Sequence, residues 1–286
     1  MRTALVAWDY PPAPSGLSTA AREIAESLAG AGADVTVFTL DRTGRERVGG
    51  VTVVGLALPA ASLLARLRLW GALGHLAAPL AVRRARPLVT RSSTPAAFTR
   101  DGRPGLRDRL DGAAADRLER RQARGSAGLI ANTAAHAGVI ARAYGLAGRR
   151  PEAVIGLSLP PEIAAAARAA PYPDGAGPVR LLFVGRAVAR KGFDALLDAV
   201  AILAGEQARG ALPPFWLELV GVPPGDLTAD LPEAARSRIR ARGRIDARGL
   251  AEAYAGAQVV LAPSRYESFG VVYQEALAYG RPVVAC

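Results

Sequence analysis

Val179-Arg-Leu-Leu-Phe-Val-Gly-Arg-Ala-Val-Ala-Arg-Lys-Gly192 decides the fold. Its apolar run up to Gly185 reads as a buried strand, and the basic loop that follows closes on a second glycine before an amphipathic helix, Phe193 to Ala204. Phe215-Trp-Leu-Glu-Leu-Val-Gly221 is a second strand. Arg236 to Gly243 leads into Arg244-Ile245, a helix covers Leu250 to Ala255, a strand covers Gln258 to Ala262, and an apolar-periodic helix runs from about Phe269 to Gly280. Strands that alternate with helices imply parallel pairing in a doubly wound sheet, with ligands outside the carboxyl ends of the strands. Arg186, Lys191 and Glu267 all fall at such ends.

The chain also begins with a β-α-β unit: strand Thr3 to Trp8, helix Ser18 to Ala29 with Ser18 as its N-cap, and strand Val35 to Leu40. Val51 to Leu56 reads as a third strand. Ala60 to Arg86 is helical, kinked by Pro79; its apolar face suits core packing, with a membrane-surface role as the alternative. A strand in Pro87-Leu-Val-Thr, a helix over Asp116 to Arg124, a strand ending at Asn132-Thr133 and a helix to Tyr144-Gly145 complete the first half. His136, early in that last helix, reads as a packing residue. Residues 157–178, with their prolines and Ala runs, break periodicity and read as a connection. The expected organisation is α/β, with a Rossmann-like domain over 1–156, a linker over 157–178 and a second Rossmann-like domain over 179–286.

Composition narrows the function class. At 286 residues, 50% hydrophobic and 21% charged, the chain suits a folded protein of two ordinary domains. No apolar run reaches the roughly 18 residues of a membrane span, and the apolar stretch after Met1-Arg2 is too short for a signal-peptide core, so a cytoplasmic location is expected. The one cysteine, Cys286, rules out an intrachain disulfide and a thiolate metal cluster. Net charge is +11, and the excess sits early: residues 1–150 carry 22 Arg against 11 carboxylates, whereas residues 151–286 carry 14 cations against 14 carboxylates. A basic first half suits an anionic acceptor or the inner face of a membrane; a coding bias toward Arg explains it equally. Lys191 is the only lysine of the chain. A compact ammonium suits a phosphate oxygen where a planar guanidinium would not fit.

Glu267-Ser-Phe-Gly270 and Glu275 set two carboxylates eight residues apart across a loop-to-helix junction. The free amides of a helix start form an anion site, and Glu275 lies in the second turn, close enough to meet sugar hydroxyls. A diphosphate that carries hydroxyls fits both.

These segments, with Glu275-Ala-Leu-Ala, Gly280-Arg-Pro-Val-Val, Val184-Gly-Arg186 and Lys191-Gly192 in order around them, resemble the Glu-x7-Glu element of the retaining glycosyltransferases of family 4, which have two Rossmann-like domains in the GT-B arrangement. The resemblance implies a nucleoside diphosphate sugar as donor, in the cleft between domains. It implies Arg186 and Lys191 as diphosphate cations, the amides near Ser268, Phe269, Gly270 and Val271 as the helix-end anion site, and Glu267 on the donor sugar. Glu275 would bind the ribose and the backbone at Arg244 and Ile245 the base, while Gly16, in the first loop, would let the backbone approach the diphosphate, with Ser15 beside it. No cofactor and no metal are implied, and no Asp-x-Asp occurs in the chain. Many family members carry a histidine in an acceptor loop; this chain has Arg91-Ser-Ser-Thr94 there. Two carboxylates on one segment beside cations also differ from the opposed pair of a glycosidase.

The expected function is therefore transfer of a sugar from a nucleoside diphosphate sugar to an anionic or lipid-linked acceptor. The alternative is an inactive partial GT-B protein that binds nucleotide sugar or an anionic membrane surface. No nucleic-acid partner is expected, because aromatics for base stacking are scarce in the basic half. Pro282-Val-Val-Ala-Cys286 reads as the start of a strand with nothing after it, so the second domain is expected to be incomplete.

Overall fold

The computed structural model describes residues 1–7, 9–13, 16–56, 89–92, 94–95, 98, 105–146, 148, 150–159, 161–175, 177–227 and 231–286. The helix read over Ala60 to Arg86 lies outside them, as do Trp8, Ser15 and Ser93. The chain divides into two compact units, Met1–Ser158 and Leu159–Cys286.

In the first unit β1 (Arg2–Ala7), β2 (Asp34–Thr39) and β4 (Val51–Gly55) run parallel, and β3 (Gly44–Val48) pairs antiparallel with β4 at the sheet edge. Val35, Val37, Val51 and Val53 bury one face against Ala21 and Ala25 of α1 (Gly16–Gly30). That helix starts at Gly16, two residues ahead of the expected cap, so Ser18 is buried within its first turn. The hairpin strand β3 was not anticipated. Its Arg-Glu-Arg pattern carries no apolar alternation, and such charge is how an exposed edge avoids further pairing.

A second, three-stranded parallel sheet in this unit holds β5 (Val89–Arg91), β6 (Gly128–Ala131) and β7 (Ala153–Val154). It packs through Leu129 and Ala131 on Ala123 of α2 (Leu106–Gly125) and on Ile140 and Tyr144 of α3 (Ala134–Tyr144). Helix α2 starts ten residues before its expected position; Asp108 accepts from the Gly105 amide at 3.2 Å and closes its first turn.

The second unit is one sheet of five parallel strands in the order β10-β9-β8-β11-β12. They are β8 (Val179–Val184), β9 (Phe215–Val220), β10 (Ile239–Gly243), β11 (Val259–Ala262) and β12 (Val283–Ala285). Neighbouring residues of β8 serve opposite faces. Phe183 packs with Leu217 and Leu219 against Leu196, Leu197 and Val200 of α5 (Phe193–Ala208), and with Ala235 of the short α6 (Glu233–Arg236). Leu182 packs with Val220 and Val260 against α7 (Ala247–Gly256) and α8 (Val271–Ala278). Fully burying each such side chain contributes about 1.5–3 kcal/mol.

Residues 157–178 are not a bare connection: α4 (Pro161–Ala169) lies within them and sends Ile163 and Ala167 into the Leu182 face. An alanine run favours helix, and a proline in the first turn does not oppose it. Counted in chain order the strands run 3-2-1-4-5, so the winding reverses between β8 and β11. That reversal is where a doubly wound sheet opens a crevice.

Candidate functional site

The loops leaving β8 and β11 meet at this reversal. Gly192 has φ +67, and a Cβ there would overlap the carbonyl oxygen of Pro263, so only glycine lets the two loops come this close. The loops are then joined by the Arg265 amide donating to the Arg190 carbonyl at 2.9 Å and by Arg190 Nη1 donating to the Tyr266 carbonyl at 3.2 Å. Arg265 also forks onto both oxygens of Asp194, at 2.6 and 2.8 Å. The Arg265–Asp194 pair is half exposed and contributes little to stability, but two parallel bonds fix the loops' register.

Within this frame Lys191 Nζ is ion-paired with Glu267 Oε1, and Ser264 Oγ donates to the same oxygen at 2.9 Å. Both charged side chains are mostly buried, at 18% and 20% exposure, so their interaction is screened less than a surface pair. Arg186 stands exposed on the β8 loop, and its guanidinium pairs with no carboxylate among the described residues. The loop junction thus carries an uncompensated positive charge beside a matched pair.

Helix α8 starts at the same place. Its N-cap is Gly270, at φ +79, where a Cβ would overlap the Tyr273 ring. Gly270 has no side chain with which to cap the helix, and the first amides, at Val271 and Val272, lie at the positive end of the helix dipole. Ser268 and Phe269 form the approach to this end, and the Tyr273 hydroxyl, donating to the Ala262 carbonyl at 3.2 Å, ties α8 to the end of β11.

Glu275 lies one turn further in and is 9% exposed. Its Oε2 accepts from the Tyr254 hydroxyl of α7 at 2.7 Å. Burial pushes the Glu275 carboxyl above its ordinary range, and the Tyr254 hydrogen bond acts in the opposite direction. Tyr254 is itself fully buried and stacked on Tyr279, with ring centres 5.4 Å apart. Its carbonyl, with those of Ala255 and Pro171, accepts from the buried Arg281, which closes the carboxyl end of α7.

Arg244 and Ile245 follow β10, at the same end of the sheet but three strands from β11. Arg244 is exposed, whereas the Ile245 side chain packs with the Leu182 and Val220 cluster. Gly16 belongs to the first unit, where it begins α1. The structure therefore brings Lys191, Glu267 and residues 268–271 to one place, with Arg186 on the same loop as Lys191 and Glu275 behind them. Sequence reasoning assigned no role to Ser264, Tyr254 or Arg281. Ser264 was findable, three residues before Glu267 at a strand end. The other two act on partners more than 20 positions away, beyond any local pattern.

The first unit's polar strand ends are engaged internally. Arg91 donates to Asn132 Oδ1 at 3.1 Å and to the carbonyls of Ile155 and Gly156 at 2.7 and 2.9 Å. Ser92 bonds the Tyr144 hydroxyl, and its carbonyl lies 3.2 Å from His136 Nε2. His136 is 2% exposed; burial pushes its pKa down, against the Ser92 bond, as suits a packing residue. Among the described residues no group of three or more His, Cys, Asp or Glu could hold a metal ion, and no helix is long and apolar enough to cross a membrane.

The family model described as glycosyl transferases group 1 matches residues 178–286. A D-inositol 3-phosphate glycosyltransferase of Streptomyces bingchenggensis is 39% identical over 176 residues, which are 55% of this chain and 37% of that protein. The D-inositol 3-phosphate glycosyltransferase 1 of Catenulispora acidiphila is 36% identical over 113 residues, 37% of this chain and 27% of that protein. The match thus spans between about a quarter and two fifths of these relatives' length. Among solved structures, sucrose-phosphate synthase from Thermosynechococcus elongatus superposes with a TM-score of 0.66 at 20% identity, covering 100% of this chain and 81% of that one. WaaG, a glycosyltransferase involved in lipopolysaccharide biosynthesis, gives 0.66 at 19%, covering 100% and 80%. The fold is that of the GT-B proteins, two Rossmann-like α/β units in one chain. The likeness to the glycosyl transferases group 1 family is thus carried by residues 178–286, the second unit's sheet and its helices.

Proposed function

We propose that the protein is a retaining glycosyltransferase that takes a sugar from a nucleoside diphosphate sugar bound by its second unit. The observation that carries this reading is the meeting, at the winding reversal, of the Lys191–Glu267 pair with the start of α8 at its Gly270 cap. When the diphosphate leaves, negative charge builds on its oxygens. Arg186, Lys191 and the amides at 269–271 stabilise that charge from fixed positions, an effect worth several kcal/mol in a desolvated site. Glu267, held by Ser264, accepts from hydroxyls of the donor sugar and stabilises the cationic carbon. Glu275 accepts from the ribose, and the backbone at Arg244 and Ile245 lies along the base.

An anionic acceptor agrees with the positive excess of residues 1–150 and with relatives named for D-inositol 3-phosphate. Calorimetry with UDP-, GDP- and ADP-glucose on the wild type and on Lys191→Ala tests the donor site: one donor should bind, and the variant should weaken it at least about tenfold. Unchanged affinity defeats the reading. Incubation of the binding donor with inositol 3-phosphate or inositol, followed by NMR, separates transfer from mere binding. An α-linked product from an α-linked donor, made only with the phosphorylated acceptor, is expected; the opposite anomer excludes retention.

A further inference from the structure

We infer that Tyr254 is a positioning residue for donor recognition: its hydroxyl holds one oxygen of Glu275 so that the other is presented to a ribose hydroxyl. The inference rests on the donor reading above and adds a residue from a different helix. Tyr254 is on α7 and Glu275 on α8, and the 2.7 Å bond between them joins two buried side chains. Three contacts immobilise the tyrosine. Its ring lies 17° from parallel with Tyr279 at 5.4 Å, its body is part of the Leu182 and Val260 cluster, and its carbonyl accepts from Arg281 Nε at 3.0 Å. A donor so fixed can aim a carboxylate without loss of rotamer freedom on binding.

The state of Glu275 points the same way. Its Oε1 makes no hydrogen bond among the described residues. That oxygen is the part of a 9% exposed carboxylate that still reaches the surface, where it can accept from a ligand. A hydroxyl donor would complete it, whereas a phosphate oxygen would be repelled. With Oε2 held by Tyr254, a single oxygen faces the ligand, so recognition falls mainly on one hydroxyl of the ribose pair. Glu275 therefore reads the sugar of the nucleoside, while the anion is held by the α8 amides and Lys191.

The experiment is calorimetry with whichever of UDP, GDP and ADP binds, its 2′-deoxy, 3′-deoxy and 2′,3′-dideoxy forms, and inorganic pyrophosphate. The proteins are wild type, Tyr254→Phe and Glu275→Gln. Wild type should prefer the ribonucleotide over the dideoxy form about 10- to 150-fold, the range for a hydrogen bond to a charged group. Tyr254→Phe should reduce that preference about tenfold while pyrophosphate binds within about twofold of wild type. Equal weakening of pyrophosphate, or an undiminished preference, overturns the role. Unchanged nucleotide affinity in Glu275→Gln removes the donor reading itself, whereas a loss there without a loss in Tyr254→Phe removes only the tyrosine's part. Should Tyr254→Phe not fold, the wild type still decides: loss concentrated on one deoxy position supports a single facing oxygen, and equal loss at both positions overturns it.

Discussion

Two helices start at the carboxyl ends of parallel strands in the two units and end up doing different work. After β6, Thr133 caps α3: its Oγ1 accepts from the His136 amide at 3.0 Å, and Gly145, in the left-handed region, closes the other end. After β11, Gly270 brings no side chain to the start of α8. The polar groups around α3, namely Asn132, Arg91, Ser92 and Tyr144, are bonded to one another. Those around α8 form a matched pair with charge left over. The same strand-to-helix turn thus becomes a packing element or an anion seat, and what decides is whether the cap position carries an acceptor.

Five variants break or sharpen this contrast, from the largest effect downward. Gly192→Val should be the most severe. The left-handed backbone and the overlap with the Pro263 oxygen affect only the second unit's loops, and a loss of more than about 3 kcal/mol in urea unfolding is expected. A near-neutral result would mean the loops do not approach. Arg281→Leu removes three hydrogen bonds, to the carbonyls of Tyr254, Ala255 and Pro171, and should destabilise by about 2–4 kcal/mol by the same assay. Its counterpart Arg91→Leu, which is less buried, should lose about half as much.

Thr133→Ala should cost about 1 kcal/mol of stability and leave nucleotide affinity unchanged, because the α3 cap serves packing alone. The smallest effect is that of pH on His136. Its folded pKa lies below the unfolded value of 6.5, so the unfolded chain binds more protons in that window, and stability falls as pH drops below 6.5. Denaturant midpoints in wild type and His136→Gln between about pH 7.5 and about pH 5.5 should show part of the acid-side decline removed by the substitution. Parallel curves would mean that His136 is not buried in neutral form.

The second unit was far more legible in sequence than the first, for a physical reason. Strands covered on both faces are near-continuous apolar runs, and Val179–Val184 and Phe215–Val220, each interrupted by one charged residue, read as such. Strand β3 and the early turns of α2 carry charge where a core-facing pattern would show apolar residues, and α4 hides among prolines. At the candidate site the residues with local spacing, Lys191, Glu267 and Gly270, were visible, although the helix was read from Phe269 and starts at Val271. The Tyr254–Glu275 and Arg281–Tyr254 bonds were not, because they exist only once the fold brings α7 to α8 and to Arg281.

The direct test of the contrast is hydrogen exchange on the wild-type protein with and without saturating nucleoside diphosphate, read by mass spectrometry across both helix starts. Slower exchange at 185–192 and 264–275 with no change at 132–136 is the predicted result. Protection at 132–136 without any at 264–275 would contradict the assignment of the α8 start as the phosphate seat.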